Sequence, residues 1–243
     1  MSCLLITPVI NNSLVFLGII SSMEKSISKP GKEYTTAEEI AHSITHGLGA
    51  ILSVAGLVVL LVYSALFGNA RHLISSAVYG SSLIILYLSS TLYHAFQGPK
   101  IKHIFQILDH SSIFFLIAGT YTPFTLVTLH GRWGWILFGL VWGMCVLGVI
   151  FKVFLTGRFA FLSGVIYVAM GWLVVIVLKP LTTALHPTGF KLLLSGGLLY
   201  TLGLLFYGIK RIPWNHLIWH LFVFAASILQ YFAVLFYVLP LKE

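Results

Sequence analysis

Seven long apolar runs, separated by short polar joints, set the terms on which this chain can fold. They extend over Ile40 to Phe67, His72 to Phe96, Phe105 to Leu129, Trp133 to Phe154, Phe159 to Leu178, Lys191 to Ile209 and Leu217 to Leu239. A helix needs about 20 mostly apolar residues to cross the hydrocarbon core of a bilayer, and each run is near that length. Lipid offers no partner for a backbone N–H or C=O, so each span must satisfy its own, as a helix does. The expectation is an all-α fold: a polytopic membrane protein built as a seven-transmembrane helix bundle.

Charge supports this reading. Only 8% of the residues are charged and 58% are hydrophobic, whereas a soluble domain carries about 25% charged residues. The net charge of +8 comes from 14 Lys and Arg against 6 acids. A nucleic-acid binder gathers such charge into a stripe; here the basic residues stand singly or in pairs at the joints, so no nucleic-acid partner is expected. Cys3 and Cys145 have neither zinc nor redox spacing.

Residues 1–39 read as a leader and residues 40–243 as the seven-transmembrane domain. Pro8 and Asn11-Asn12 interrupt the apolar stretches of the first 22 residues, which have neither the length of a span nor the pattern of a signal peptide. A polar segment follows Met23, which is the expected natural start. Gly68, Gly98-Pro99, Gly131, Gly157, Pro180 with Pro187, and Pro213 mark the joints. Pro123 falls inside the third run and is expected to kink it by freeing the carbonyl of Gly119. Gly139 and Gly143 form a small-xxx-small pair suited to a close helix contact.

Basic residues also orient the chain. On the side of the leader lie Lys25, Lys29, Lys32, Lys100, Lys102, Lys152, Arg158, Lys210 and Arg211, nine in all; the other side has Arg71, Arg132, Lys179, Lys191 and Lys242, which is five. The excess belongs in the cytoplasm. That places the N-terminus inside and the C-terminus outside, in the plasma membrane, the inner membrane of a bacterium.

Seven spans then bring a sparse polar set to one face. His94 ends span two, Asp109 begins span three, and His216 and His220 begin span seven, all on the nine-charge side. Residues four apart share a helix face, so His216 and His220 can chelate one ion and His94 completes three nitrogens. Zinc takes neutral imidazoles, and its catalytic sites keep three protein ligands with water in the fourth position. Asp109 would orient that water or take its proton, and Ser90, one turn before His94, would hydrogen-bond the water or a substrate carbonyl. The same residues admit a structural reading: His94 at an interface, an HxxxH spacing without the Glu of HExxH, and Asp109 as the N-cap of span three.

His42 and His46, beside Glu38 and Glu39, face the same side. They read first as a capped, charged helix entrance with Thr35 or Thr36 at its N-cap, and second as support for the metal, with the deeper His46 the better functional candidate. His72, His103, His110, His130 and His186 read as solvated loop or interface residues. Trp133, Trp135, Trp214 and Trp219 read as aromatic belts.

Ser90-xxx-His94, Asp109 and His216-xxx-His220, with EEIAHSITHGLGA in the first span and AGTYTPF in the third, resemble the hemolysin III family of the progestin and adipoQ receptor superfamily. The similarity covers the chain from about Glu33 onward. It implies zinc held by His94, His216 and His220, with Asp109 and Ser90 around a bound water. Three functions follow as expectations. The first is a zinc-dependent hydrolase cutting an amide or ester of a membrane lipid, a ceramide-like substrate among them. The second is a non-enzymatic receptor or sensor in which zinc only ties spans together. The third, from the family's name, is a cytolytic protein, for which the uniformly apolar spans offer no charged lining.

Overall fold

Thr35 starts the first helix through a reciprocal cap. Its hydroxyl accepts from the Glu38 N–H at 3.2 Å, while the Glu38 carboxylate accepts from the Thr35 N–H at 2.9 Å. Two of the orphan donors of a helix start are thereby satisfied. In the computed structural model, which describes residues 34–240, α1 then runs Thr36–Phe67. The helix begins four residues before the expected boundary of the membrane domain. Residues 1–33, with the leader and the Met23 start, lie outside the described residues.

The remaining helices are α2 (Ala70–Ala95), α3 (Pro99–Pro123), α4 (Arg132–Leu155), α5 (Ala160–Gly171), α6 (Leu178–Ala184), α7 (Pro187–Gly208) and α8 (Asn215–Tyr237). A 3-10 stretch, Trp172–Val177, joins α5 to α6, so the two make one span, Ala160–Ala184. Among the described residues, seven helical segments are long and apolar enough to cross a membrane. The described residues contain no strand, and the fold is the expected all-α seven-span bundle.

Local chemistry explains the joints. Asn69 caps α2 by accepting from the Arg71 N–H at 2.9 Å. Pro99 and Pro187 each open a helix, where a missing N–H costs nothing. Gly131 and Gly157 take φ of +78° and +79°, a region that penalises any Cβ. Pro180 departs from its expected place at a joint. It sits in the first turn of α6 inside span five, again where no N–H is required.

Pro123 ends the α-helical part of span three, and the chain continues as a π-type turn over Phe124–Thr128. Its last bond runs from the Leu129 N–H to the Phe124 carbonyl at 2.8 Å. Thr122 and Thr125 hydroxyls donate to the Ala118 and Tyr121 carbonyls, and the Trp142 indole donates to Thr122 Oγ1 at 3.2 Å. The loosened backbone is thus held by side chains and a neighbouring helix, as membrane interiors require.

The bundle pairs α1 with α2, α2 with α3, and α7 with α8 most intimately, and α8 returns to α1 to close the ring. Span three is the most enclosed. In lipid the spans associate by packing and interhelical polar contacts rather than by expulsion of water. Small residues permit the close approaches: Gly49 lies under the Tyr87 ring and Gly148 under that of Phe114. Ser64 and Ser76 hydroxyls clasp α1 to α2 at 2.7 Å. The expected Gly139 and Gly143 contact is not formed, since a Cβ at either would meet nothing within 4 Å. Both glycines are on the outer side of α4, and Gly148 makes the helix contact instead.

Candidate metal centre

Four helix ends meet on one face of the bundle: the starts of α1, α3 and α8 and the end of α2. Each contributes polar side chains of the kind an apolar environment tolerates only when they are paired or functional. His94, in the last turn of α2, is buried, and its Nδ1 lies 2.6 Å from Glu39 Oε2 on α1. The other Glu39 oxygen accepts from Lys102 at the start of α3. A carboxylate at Nδ1 places the ring proton there and leaves Nε2 with its lone pair outward.

That lone pair faces other nitrogens. His94 Nε2 is 3.1 Å from His216 Nε2, which is 3.0 Å from His220 Nε2. A neutral imidazole has one N–H, and His94 has spent its own on Glu39. A single proton on His216 Nε2 can serve one of its two contacts, leaving at least one lone pair facing another nitrogen. A cation between them removes the conflict, and the spacing approaches the ~3.3 Å between nitrogens on one tetrahedral zinc with bonds of about 2.0–2.1 Å. The residues present therefore fit a metal of zinc's preferences.

The outward nitrogens agree with this. His216 Nδ1 and His220 Nδ1 are buried without a protein hydrogen-bond partner, so neither ring is anchored by its other side. Among the described residues, the group offering ligand atoms all within 4.8 Å of one another is His42, His94 and His216. His220 adjoins it through the 3.0 Å contact to His216.

Ser90 and Asp109 lie beside this cage rather than in it. Both are buried, Ser90 one turn before His94, and its side chain interacts with the Asp109 carboxylate. His94 and Lys152 also act on that carboxylate electrostatically. Asp109 is not the N-cap of span three, because α3 starts at Pro99 and Asp109 stands in its third turn. The helix begins earlier than hydropathy alone suggests because Pro99, Lys100 and Lys102 make a good polar first turn.

Other residues complete the surroundings of the site and the rest of the bundle. Lys152, counted as a topology charge, is buried, with Nζ donating to Ser163 Oγ at 2.6 Å. Tyr34 places its ring 5.0 Å from both His42 and His216. Burial, and then the neighbouring Tyr207 and Tyr93, hold the Tyr34 phenol well above its ordinary pKa, so it stays neutral. His46 stacks on His220 at 3.6 Å with planes 12° apart. It presents a ring face to His220, whereas the shallower His42 has a ring nitrogen within 4.8 Å of those of His94 and His216. His72 is buried against the Asn69 cap of α2, and His186 caps α7, so neither is merely solvated. Trp133, Trp135 and Trp214 are exposed, as a belt requires, whereas Trp219 is half-buried against the core.

The profile of the family described as "Haemolysin-III related" matches residues 34–231. The protein named "Hemolysin-3" in Bacillus cereus is 49% identical over 203 residues, covering 84% of this chain and 93% of that one. "Hemolysin-3 homolog" of Bacillus subtilis (strain 168) is 48% identical over 204 residues, covering 84% and 96%. The human "Monocyte to macrophage differentiation factor" is a more distant relative, 29% identical over 212 residues, covering 82% and 84%. With its seven spans and a match over most of its length, the chain belongs to the haemolysin-III-related family of membrane proteins.

Proposed function

We propose that the protein is a metal-dependent hydrolase acting on an amide or ester bond of a membrane lipid at the cytoplasmic face, with zinc held by His94, His216 and His220. The observation that carries the reading is the convergence of imidazole nitrogens at 3.0–3.1 Å beside the buried Asp109 and Ser90. When bound, zinc supplies Lewis-acid activation of water and of a carbonyl.

The side chains divide the remaining work. Glu39, braced by Lys102, holds His94 in the tautomer that binds metal. Asp109 is the proton acceptor, and the Ser90 hydroxyl, donating to its carboxylate, orients it. The buried Lys152 balances the carboxylate electrostatically. An apolar cavity of about 450 Å³ lies among the spans, with Leu86, Ile113, Tyr121, Trp172, Trp219 and Val223 in its wall. Leu86 is one turn from Ser90, Ile113 one turn from Asp109, and Trp219 adjoins His220. A cleavable headgroup linkage at the cage would therefore have room for a hydrocarbon chain below it.

The test uses purified, zinc-loaded protein given ceramide-like and phospholipid substrates, with released fatty acid as the readout. Turnover that disappears in Asp109→Asn supports the reading. Absence of turnover across the lipid pool, with zinc occupancy verified, removes it. A second reading, a receptor or sensor in which the metal is a staple, is favoured by one fact: the converging nitrogens come from α1, α2 and α8. It expects His94→Ala to lower thermal stability with no substrate consumed in any variant.

A further inference from the structure

Four imidazoles, not three, surround the centre of the cage. Taken pairwise, the ring centroids of His42, His94, His216 and His220 are separated by 4.6 Å (His42 to His94), 4.6 Å (His42 to His216), 5.1 Å (His42 to His220), 5.0 Å (His94 to His216), 5.2 Å (His94 to His220) and 4.6 Å (His216 to His220). Six nearly equal edges describe a tetrahedron. Its centre lies about 3 Å from each centroid, close to the ~3.2 Å expected when an imidazole binds zinc at about 2.0–2.1 Å.

We infer that His42 is a fourth metal ligand, so that the protein binds one divalent transition ion of zinc's class through His42, His94, His216 and His220. His42 is fully buried and has a ring nitrogen within 4.8 Å of the ligand atoms of both His94 and His216. It lies on the same face of α1 as Glu39, three residues earlier, whose carboxylate positions His94. One turn of α1 thus provides both a ligand and the group that orients a second ligand.

The neighbouring His46 is excluded by its orientation. It stacks face to face on His220 at 3.6 Å, which supports the ring without offering a nitrogen to the centre. Tyr34 closes the outer side at 5.0 Å from His42. An all-nitrogen set of borderline-soft donors selects zinc, cobalt, nickel or copper over magnesium or calcium, which require oxygen.

The inference rests on the metal reading of this site and sharpens it. A tetrahedral ion with four imidazoles has no position left for water. Hydrolysis at such a centre requires a fifth position or the departure of His42, whereas a staple requires neither.

X-ray absorption at the zinc edge of the purified, full-length wild-type protein counts imidazoles directly and needs no variant. Four nitrogen neighbours with imidazole scattering are expected. Cobalt loading of wild type, His42→Ala and His42→Asn adds a second readout. Loss of His42 should change the intensity of the visible d–d bands and weaken metal affinity at least tenfold by chelator competition. His46→Ala should leave the imidazole count at four. Three imidazoles and an oxygen in the wild type, or identical spectra and affinity without His42, overturn the four-ligand set while leaving the metal reading intact. A wild-type protein that takes up no transition metal overturns the metal reading and this inference with it.

Discussion

Glu39 on α1 and His94 on α2 meet at 2.6 Å, with the second carboxylate oxygen held by Lys102 of α3. Three helices are tied through one acid, and the acid decides which nitrogen of His94 is free. Glu39→Gln keeps the shape and removes the charge. Groups that orient a metal ligand from behind typically account for 10–100-fold in affinity. Chelator competition on Glu39→Gln should show a loss in that range, with the fold unchanged by circular dichroism.

Asp109→Asn should separate metal binding from chemistry. Asp109 lies outside the nitrogen cage, so zinc content should stay at the wild-type level. Loss of a proton acceptor commonly costs about 10²–10⁴ in rate. Fatty-acid release should fall by that order, with a smaller loss in Ser90→Ala. Equal turnover in Asp109→Asn and wild type would assign the carboxylate a different role.

Metal removal should lower thermal stability. An ion that binds only the folded chain stabilises it according to its concentration relative to Kd, about 2.7 kcal/mol at a hundredfold excess. Melting in detergent with and without a zinc chelator should show a lower Tm for the stripped protein. The gap should close in the triple variant His94→Ala, His216→Ala, His220→Ala.

Gly148 and Gly143 should respond differently to the same methyl group. A Cβ at Gly148 would stand 2.6 Å from the Phe114 ring, while one at Gly143 meets nothing within 4 Å. Overpacking of a formed contact typically costs about 1–3 kcal/mol, and exposed positions usually stay within about 0.5 kcal/mol. Gly148→Ala should lower the unfolding midpoint, and Gly143→Ala should not.

A topology reporter fused after Glu243 is expected to be active only outside the cytoplasm. Activity confined to the cytoplasm would reverse the orientation and place the metal centre on the outer face.

Spacing carried the fold and much of the candidate site. Seven apolar runs of spanning length give the bundle, and a pair four apart in span seven gives His216 and His220 a common face. Glu39 was hidden beside Glu38. The two acids are neighbours in sequence but a helix turns about 100° between them, so Glu38 closes the cap of Thr35 while Glu39 turns to His94. Hydropathy cannot separate them. Lys152 looked like any boundary lysine because burial depends on what faces it, here Ser163. Gly143 and Gly148 were equally hard to tell apart, since lipid and protein neighbours of a span are both apolar. His42 and His46 illustrate the same limit: depth favoured His46, but ring orientation decides which of them offers a nitrogen.

The cage draws on the first and last spans at once, and His94 and His216 are 122 positions apart. No nascent chain lacking α8 possesses it. While the bundle is being inserted, α1 and α2 display His42 and His94 without their counterparts, and Glu39 can prepare only half of the binding surface. Arrival of the seventh span is therefore the event that completes the candidate site. On the metal reading, capture of the ion would report that the last span has joined the first two.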